Sequence, residues 1–381
     1  MKNTFKRALA LTLTASLLSG CNIVVDTGSE SVNGELISQS GSSESTAEPS
    51  SSVDSEPQTP VSSSSSTEEV SSSSSTVVDP DADPNEGEMS DTVLVMGNGR
   101  GLVCFYGTNA GAERYANYLN AYKEKLGDSV NVYTLVAPTA GTYYMPDKYK
   151  KSLNVSDEKA IIAHIGSCLN GVTNVDVCEK LEQHKDEHIF SSTDHHWQQL
   201  GAYYAAEEFA KAAGVPFADL STYEKVTLEG YIGTLYGYSK ENQKIKDNPE
   251  EFVYYIPSAA TTVTNYPVNN LSAGTNVPLL TNINGWATVS WYLVFGTDDI
   301  VRHIQTDANN GRKLLIVKDS YGNALVPNLV GSFEEIWVTD MRYFKGSLTD
   351  FAKENGITDL LFTMNSFSAT GVNQNNLPNI M

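Results

Sequence analysis

Residues 22–90 contain no lysine or arginine, and runs such as Ser62–Ser66 and Ser71–Ser75 leave little that is apolar to bury. A segment of that composition cannot offset the chain entropy lost on folding, so it reads as a solvated, self-repelling tether. Of the 381 residues, 92–381 remain to build a core. About 290 residues suffice for one large domain, or for a domain carrying an insertion. Fifteen acids, Asp26 to Asp91, lie in the tether, so −15 of the formal charge of −21 belongs to it. The first 21 residues carry +3 and residues 92–381 carry −9. A mildly acidic domain argues against nucleic acid as a partner.

The chain begins with a basic stretch, Lys2, Lys6 and Arg7, followed by an apolar run that ends Leu17-Leu18-Ser19-Gly20-Cys21. This has the form of a secretory signal rather than a spanning helix. Leu18-Ser19-Gly20-Cys21 resembles a bacterial lipobox, which implies cleavage before Cys21, lipidation of its thiol and anchorage at the extracellular face of the cell membrane. The plain alternative is a signal peptide that contains a cysteine. The expected organisation is therefore a signal at 1–21, a linker at 22–91 and a domain at 92–381. Cys168 and Cys178, ten residues apart in an exported chain, are candidates for a disulfide, a question the sequence leaves open. Cys104, in the run Leu102-Val103-Cys104-Phe105, reads as a small buried hydrophobe. No CxxC pair occurs, and no metal ligands and no cofactor are expected.

Within the domain, apolar runs alternate with helical patterns. Residues 100–106 read as a strand, 111–126 as a helix and 130–136 as a second strand, a βαβ unit that implies a parallel sheet. Helices are expected at 157–169 and 177–184. Residues 217–310 change character, with Tyr, Gly and Thr enriched and Thr288–Phe295 loosely alternating. They read as loops and antiparallel strands inserted over one sheet edge. The earlier rhythm then returns: strand 313–318, helix 322–331, strand 335–339, helix 347–355 and strand 358–364. The fold class is α/β.

Two stretches carry chemistry. The first is Phe190-Ser191-Ser192-Thr193-Asp194-His195-His196-Trp197, at the entrance to a helix expected over 197–213, which Thr193 or Asp194 can cap. In extended backbone Asp194 and His196 point to one side and His195 to the other. This favours His196 as the imidazole oriented by Asp194, with His195 structural. The second is Lys313-Leu314-Leu315-Ile316-Val317-Lys318-Asp319-Ser320-Tyr321-Gly322-Asn323, a buried strand with a serine at its carboxyl end, where ligands of open α/β sheets sit. Together they suggest Ser320 as nucleophile, His196 as base and Asp194 as its orienting acid. Each residue also has a plainer role: His196 as a core histidine satisfied by Asp194, Ser320 as a helix cap, Asp319 as a local cap and Trp197 as core rather than pocket wall. Tyr321 and Arg342 are candidates for substrate or oxyanion contacts, with a surface salt bridge as the alternative for Arg342. Asn323 can join the Tyr321 backbone N–H as an oxyanion donor, or serve a turn.

Asp194-His195-His196-Trp197 together with Lys318-Asp319-Ser320-Tyr321-Gly322-Asn323 resembles the DHHW protein family, grouped with SGNH-hydrolase-like O-acetyltransferases related to the alginate acetylation enzymes. Val136-Ala137-Pro138-Thr139, Gly233-Thr234-Leu235 and Asp340-Met341-Arg342-Tyr343-Phe344 also match. The resemblance implies a flavodoxin-like three-layer fold and a Ser-His-Asp site, which maps onto Ser320, His196 and Asp194. The serine here comes last in the chain, and the spacing is Asp-x-His, both unlike ordinary SGNH hydrolases. The resemblance further implies an extracytoplasmic serine acyltransferase or esterase acting on hydroxyls of a cell-surface polysaccharide or cell-wall glycan. A membrane partner would supply acyl groups, because no acetyl-CoA is available outside the cell. The rival functions are a non-catalytic glycan-binding lipoprotein and a metal-dependent phosphoesterase. Against the latter, Asp-x-Asp occurs in the N-terminal half only within the tether, at Asp79-Pro80-Asp81-Ala82-Asp83, and adjacent histidines on a strand diverge.

Overall fold

The structure, a computed structural model, describes Asp83 and residues 85–381. The signal segment, Cys21 and most of the expected linker lie outside the described residues. The strands, in chain order, begin with β1 (Gly87–Ser90), β2 (Val93–Met96), β3 (Gly101–Val103), β4 (Asn131–Ala137) and β5 (Thr173–Asn174). Next come β6 (Glu224–Tyr231), β7 (Glu250–Ile256), β8 (Thr261–Pro267), β9 (Thr275–Val277) and β10 (Ile300–Thr306). The last three are β11 (Lys313–Lys318), β12 (Glu335–Asp340) and β13 (Asp359–Asn365). An eight-stranded sheet has the order β5-β4-β13-β11-β12-β10-β8-β9. Its first five strands run parallel and the last three antiparallel. The chain is thus α/β with a large, mostly parallel sheet.

Alternation along the central strands sends side chains to two separate cores, as a period of two requires. Leu314 and Ile316 of β11 join one cluster, with Ala202, Ala205, Ala206 and Phe209 of helix Gln199–Ala213. Leu315 and Val317 join the other, with Tyr115, Leu119 and Tyr122 of helix Asn109–Leu126 and with Ile161, Ile162 and Ile165 of helix Glu158–Ser167. Helices therefore cover both faces, and the central strands read as continuous apolar runs because neither face meets water.

Four expectations change. Gly87–Ser90, counted with the linker, is a strand paired to β2. The expected βαβ unit at 100–136 does not form, because β3 pairs antiparallel with β2 in a three-stranded sheet of its own. A hairpin partner a few residues away closes a far smaller loop than a partner beyond a helix. The inserted region is antiparallel, but β8, β9 and β10 continue the main sheet while β6 and β7 form a separate pair, and Thr288–Phe295 is a 3-10 helix. Finally, Cys104, Cys168 and Cys178 are free thiols: Cys178 is buried, while Cys168 sits at the end of helix Glu158–Ser167, so no disulfide joins them.

Candidate active site

Ser320 lies immediately beyond the β11–Asp319 step and opens the short helix Tyr321–Leu325. The turn is compact: a Cβ at Gly322 would stand 2.6 Å from Lys318 Cβ, so only glycine lets the chain pass there. Asp319 secures the turn, accepting from Tyr321 N through Oδ1 at 3.0 Å and from Asn365 N on the neighbouring β13 through Oδ2 at 3.1 Å. Ser320 makes no capping bond. Its hydroxyl instead meets His196 Nε2 at 2.8 Å.

The Asp-His-His segment is not extended. It is a tight loop closed by a bridge between Phe190 and Trp197. Glu250, at the start of β7, is its hub. Its carboxylate accepts from His188 Nε2 at 2.9 Å, Thr193 N at 2.6 Å, Thr193 Oγ1 at 2.7 Å, Ser192 N and the Ser191 hydroxyl. Burial pushes the Glu250 carboxyl up, but these donors hold it below its ordinary value. Thr193 is thus committed to Glu250. Asp194 accepts from His196 N at 3.0 Å and His196 Nδ1 at 2.6 Å through Oδ1, and from Thr234 N and Oγ1, each at 2.8 Å, through Oδ2. Neither residue caps the helix that follows, which begins at Gln199 without a side-chain cap. Burial alone would raise the Asp194 carboxyl, yet the two histidines and these hydrogen bonds pull it well below the usual carboxylate range.

The loop brings the histidines together rather than apart. Their ring centroids are 3.8 Å from each other, and His195 Nδ1 meets Thr234 Oγ1 at 2.7 Å. The choice of His196 matches the geometry, but the strand-alternation reason for it does not. Asp194, His195 and His196 each offer a metal-ligating atom within 4.8 Å of the others. The fit to a metal is poor. Two donors on a tetrahedral ion at ~2.0–2.1 Å stand roughly 3.3 Å apart, whereas Asp194 Oδ1 and His196 Nδ1 are 2.6 Å apart, a hydrogen-bond distance.

The other named residues tie the two motifs together. Trp197 is buried, and its Nε1 donates to the Tyr321 carbonyl at 3.0 Å. It is core, not a pocket wall. The Tyr321 hydroxyl donates to the His195 carbonyl. The Tyr321 backbone N–H is taken by Asp319, and Asn323 Nδ2 donates to Asp298 Oδ1 at 2.8 Å, so the expected pair of oxyanion donors is not assembled. Arg342 is not a surface ion pair. Its side chain, only 9% exposed, bonds Asp340 through Nε at 2.8 Å and Asp298 through Nη2 at 2.8 Å. Lys318 Nζ joins the same group at 2.8 Å from Asp298 and 3.4 Å from Asp340. The segment that carries Asp298 also places Tyr292 flat on His196, with centroids 3.9 Å apart. A cavity of about 470 Å³ lies at the neighbouring strand ends, among Thr139, Tyr143, Glu158 and Lys159, and Ser320 does not line it.

Glu250, Tyr292 and Asp298 escaped the sequence reading, since each lies in the inserted region at no fixed spacing from either motif. Thr234 stood in the Gly233-Thr234-Leu235 match, which was its only signal. Gly233 is needed there because a Cβ would lie 2.4 Å from Asp194 Cβ.

Comparison with solved structures places this fold among known ones. A DHHW family protein from Eubacterium siraeum DSM 15702 is 42% identical over 78% of this chain and 98% of its own, with a TM-score of 0.72. Bacillus cereus PatB1, solved with a sulfonyl adduct, is 18% identical over 76% of this chain and 97% of its own, with a TM-score of 0.61, and shares the fold. The O-acetyltransferase domain of Pseudomonas putida AlgJ is 14% identical over 74% of this chain and 91% of its own, with a TM-score of 0.40. No curated protein matches. The family model described as DHHW protein matches residues 43–339, and the chain belongs to that family.

Proposed function

We propose that the protein is a serine acyltransferase or esterase, with Ser320, His196 and Asp194 as its catalytic residues. The observation that carries this is the unbroken hydrogen-bond line from Ser320 Oγ to His196 Nε2, at 2.8 Å, and from His196 Nδ1 to Asp194 Oδ1, at 2.6 Å. His196 takes the hydroxyl proton as Ser320 Oγ bonds to an acyl carbonyl carbon, and returns it to the leaving group as that bond breaks. Asp194 stays ionised, fixes the tautomer and faces the imidazolium. In the second half, an entering hydroxyl gives its proton to His196 and takes the acyl group, and Ser320 recovers its proton. Asp194 Oδ1 and His196 Nδ1 are bonded to each other rather than standing at the separation of two metal ligands, which favours serine chemistry over the phosphoesterase.

The finer proposal is that the acyl group is acetyl and the acceptor a hydroxyl of a cell-surface polysaccharide or cell-wall glycan. It is supported by the resemblance of both motifs to those of alginate-acetylating enzymes. With it go anchorage through lipidated Cys21 at the outer face of the membrane and a membrane partner that passes acyl groups across. Among the described residues no helix is long and apolar enough to cross a membrane. Intact-mass measurement after incubation with an activated acetyl ester tests the reaction class. One acetyl adduct, mapped to Ser320 and missing in Ser320→Ala, is expected. An adduct elsewhere, or none, overturns the proposal.

A further inference from the structure

His196 takes up a proton in the reaction proposed above, and the ring that does so is buried. Both its nitrogens are engaged at the edge, Nδ1 by Asp194 Oδ1 at 2.6 Å and Nε2 by the Ser320 hydroxyl at 2.8 Å. The charge gained on protonation spreads over the whole imidazole, where burial keeps water from solvating it. Tyr292 lies flat on that imidazole, with centroids 3.9 Å apart and planes at 11°. The His195 ring is as close, at 3.8 Å, but tilted by 37°. Burial, and then His196 itself, push the His195 pKa down to about 3, so His195 is neutral at ordinary pH. Tyr321 stands farther off, at 5.3 Å and 46°.

The fold holds the Tyr292 ring in place. It belongs to the 3-10 helix Thr288–Phe295, whose Thr288 hydroxyl donates to the Ile232 carbonyl at 2.9 Å. Phe295 meets Tyr292 edge-on at 5.2 Å and 75°, and Thr281 N donates to the Val294 carbonyl at 2.8 Å. Burial raises the Tyr292 hydroxyl well above its ordinary range, so the ring stays an uncharged phenol. The face of such a ring is the negative part of its quadrupole, and a cation within about 6 Å of the centroid is drawn to it, most strongly where water is excluded. We infer that Tyr292 is a positioning residue whose ring face stabilises the imidazolium that His196 becomes while it holds the Ser320 proton. A neutral imidazole gains little from that face, so the contact strengthens toward the transition state and acts on rate rather than on ester binding. The titratable groups facing His196 are Asp194 and His195 from its own loop, Tyr292 from the 3-10 helix and Tyr321 from the serine turn, while Arg342 and Asp298 act on His195. Asp194 acts at the ring's edge, which leaves Tyr292 to act at its face. This rests on the acyl-transfer function proposed above.

Tyr292→Phe keeps the face, and ring fluorines on that phenylalanine weaken its quadrupole with little change of shape. Acylation of Ser320 by an activated acetyl ester is followed against pH in Tyr292→Phe carrying none, one, two or three ring fluorines, and in Tyr292→Leu. The expected kcat/KM is near wild type in Tyr292→Phe, falls stepwise with each fluorine and is about tenfold lower in Tyr292→Leu. A base whose protonated form is less stable takes its proton only in stronger acid. The acidic limb of the profile should therefore move to lower pH, by about one unit in Tyr292→Leu. Equal rates across the fluorine series, or an acidic limb that stays in place or moves up, would mean that Tyr292 only fills space, and would overturn the proposal. NMR titration of His196 in the whole protein reads the same effect without turnover, with a lower midpoint expected for three fluorines than for none. An unchanged midpoint overturns the proposal. If Ser320 takes no acyl group, the acyl-transfer function fails, and the NMR midpoints still decide whether Tyr292 supports the imidazolium.

Discussion

Trp197 Nε1 donates to the backbone carbonyl of Tyr321 at 3.0 Å across 124 positions of sequence, joining the histidine loop to the serine turn. Trp197→Phe keeps most of the buried ring and leaves that carbonyl without its donor. The expected cost is about 1–3 kcal/mol of stability, read as a lower denaturant midpoint, together with slower acylation of Ser320. A variant as stable as wild type would show that the indole N–H does not hold the motifs together.

Ser320→Ala, His196→Ala and Asp194→Ala are each expected to remove most esterase activity on a soluble ester. The double and triple variants should lose little more, since the three act as a unit. Losses that multiply independently would count against a shared step. A chelator is expected to leave wild-type turnover unchanged.

Gly233→Ala is expected to damage the site without unfolding the domain. The added methyl would stand 2.4 Å from Asp194 Cβ and 2.5 Å from Asp194 Oδ2, which forces the carboxylate off His196. Gly237→Ala, whose Cβ meets nothing within 4 Å, is the matched control. Comparable activity in the two variants would contradict the account of Asp194 packing.

Asp298 links Lys318, Arg342 and Asn323. Burial would raise its carboxyl, but the two cations and the hydrogen bonds from Lys318 and Asn323 hold it well below the ordinary range. A carboxyl held lower when folded stabilises above its unfolded value near ~3.9, and that contribution is lost as pH falls below it. Asp298→Asn should therefore lower stability by about 3 kcal/mol at neutral pH and flatten the fall of Tm with acid below about pH 4. A Tm–pH curve parallel to wild type would rule out this linkage.

Cys21→Ser should shift the protein from the membrane fraction to the medium, or leave it unprocessed, as read by fractionation and mass of the N-terminal peptide. Retention in the membrane with a mature N-terminus would remove the anchor from the proposed function.

Continuous apolar runs and helical patterns made the carboxyl-terminal strands legible, because β11, β12 and β13 are largely buried on both faces and their composition carries little else. The strand end before Ser320 and the closeness of Asp194 to His196 in sequence marked the residues of the proposed triad for a related reason: each constraint lies within a few residues. Residues 100–106 misled because an apolar run does not say which neighbour it pairs with, and a nearby hairpin won. The close approach of the two imidazoles was illegible, since it depends on a loop bridged at Phe190 and Trp197 and pinned by Glu250, which is 57 residues beyond Thr193. By itself the sequence determined the fold class and the residue types available for chemistry. Only the tertiary structure decided which donor meets which acceptor, because a hydrogen bond depends on separations of tenths of an ångström between groups far apart along the chain.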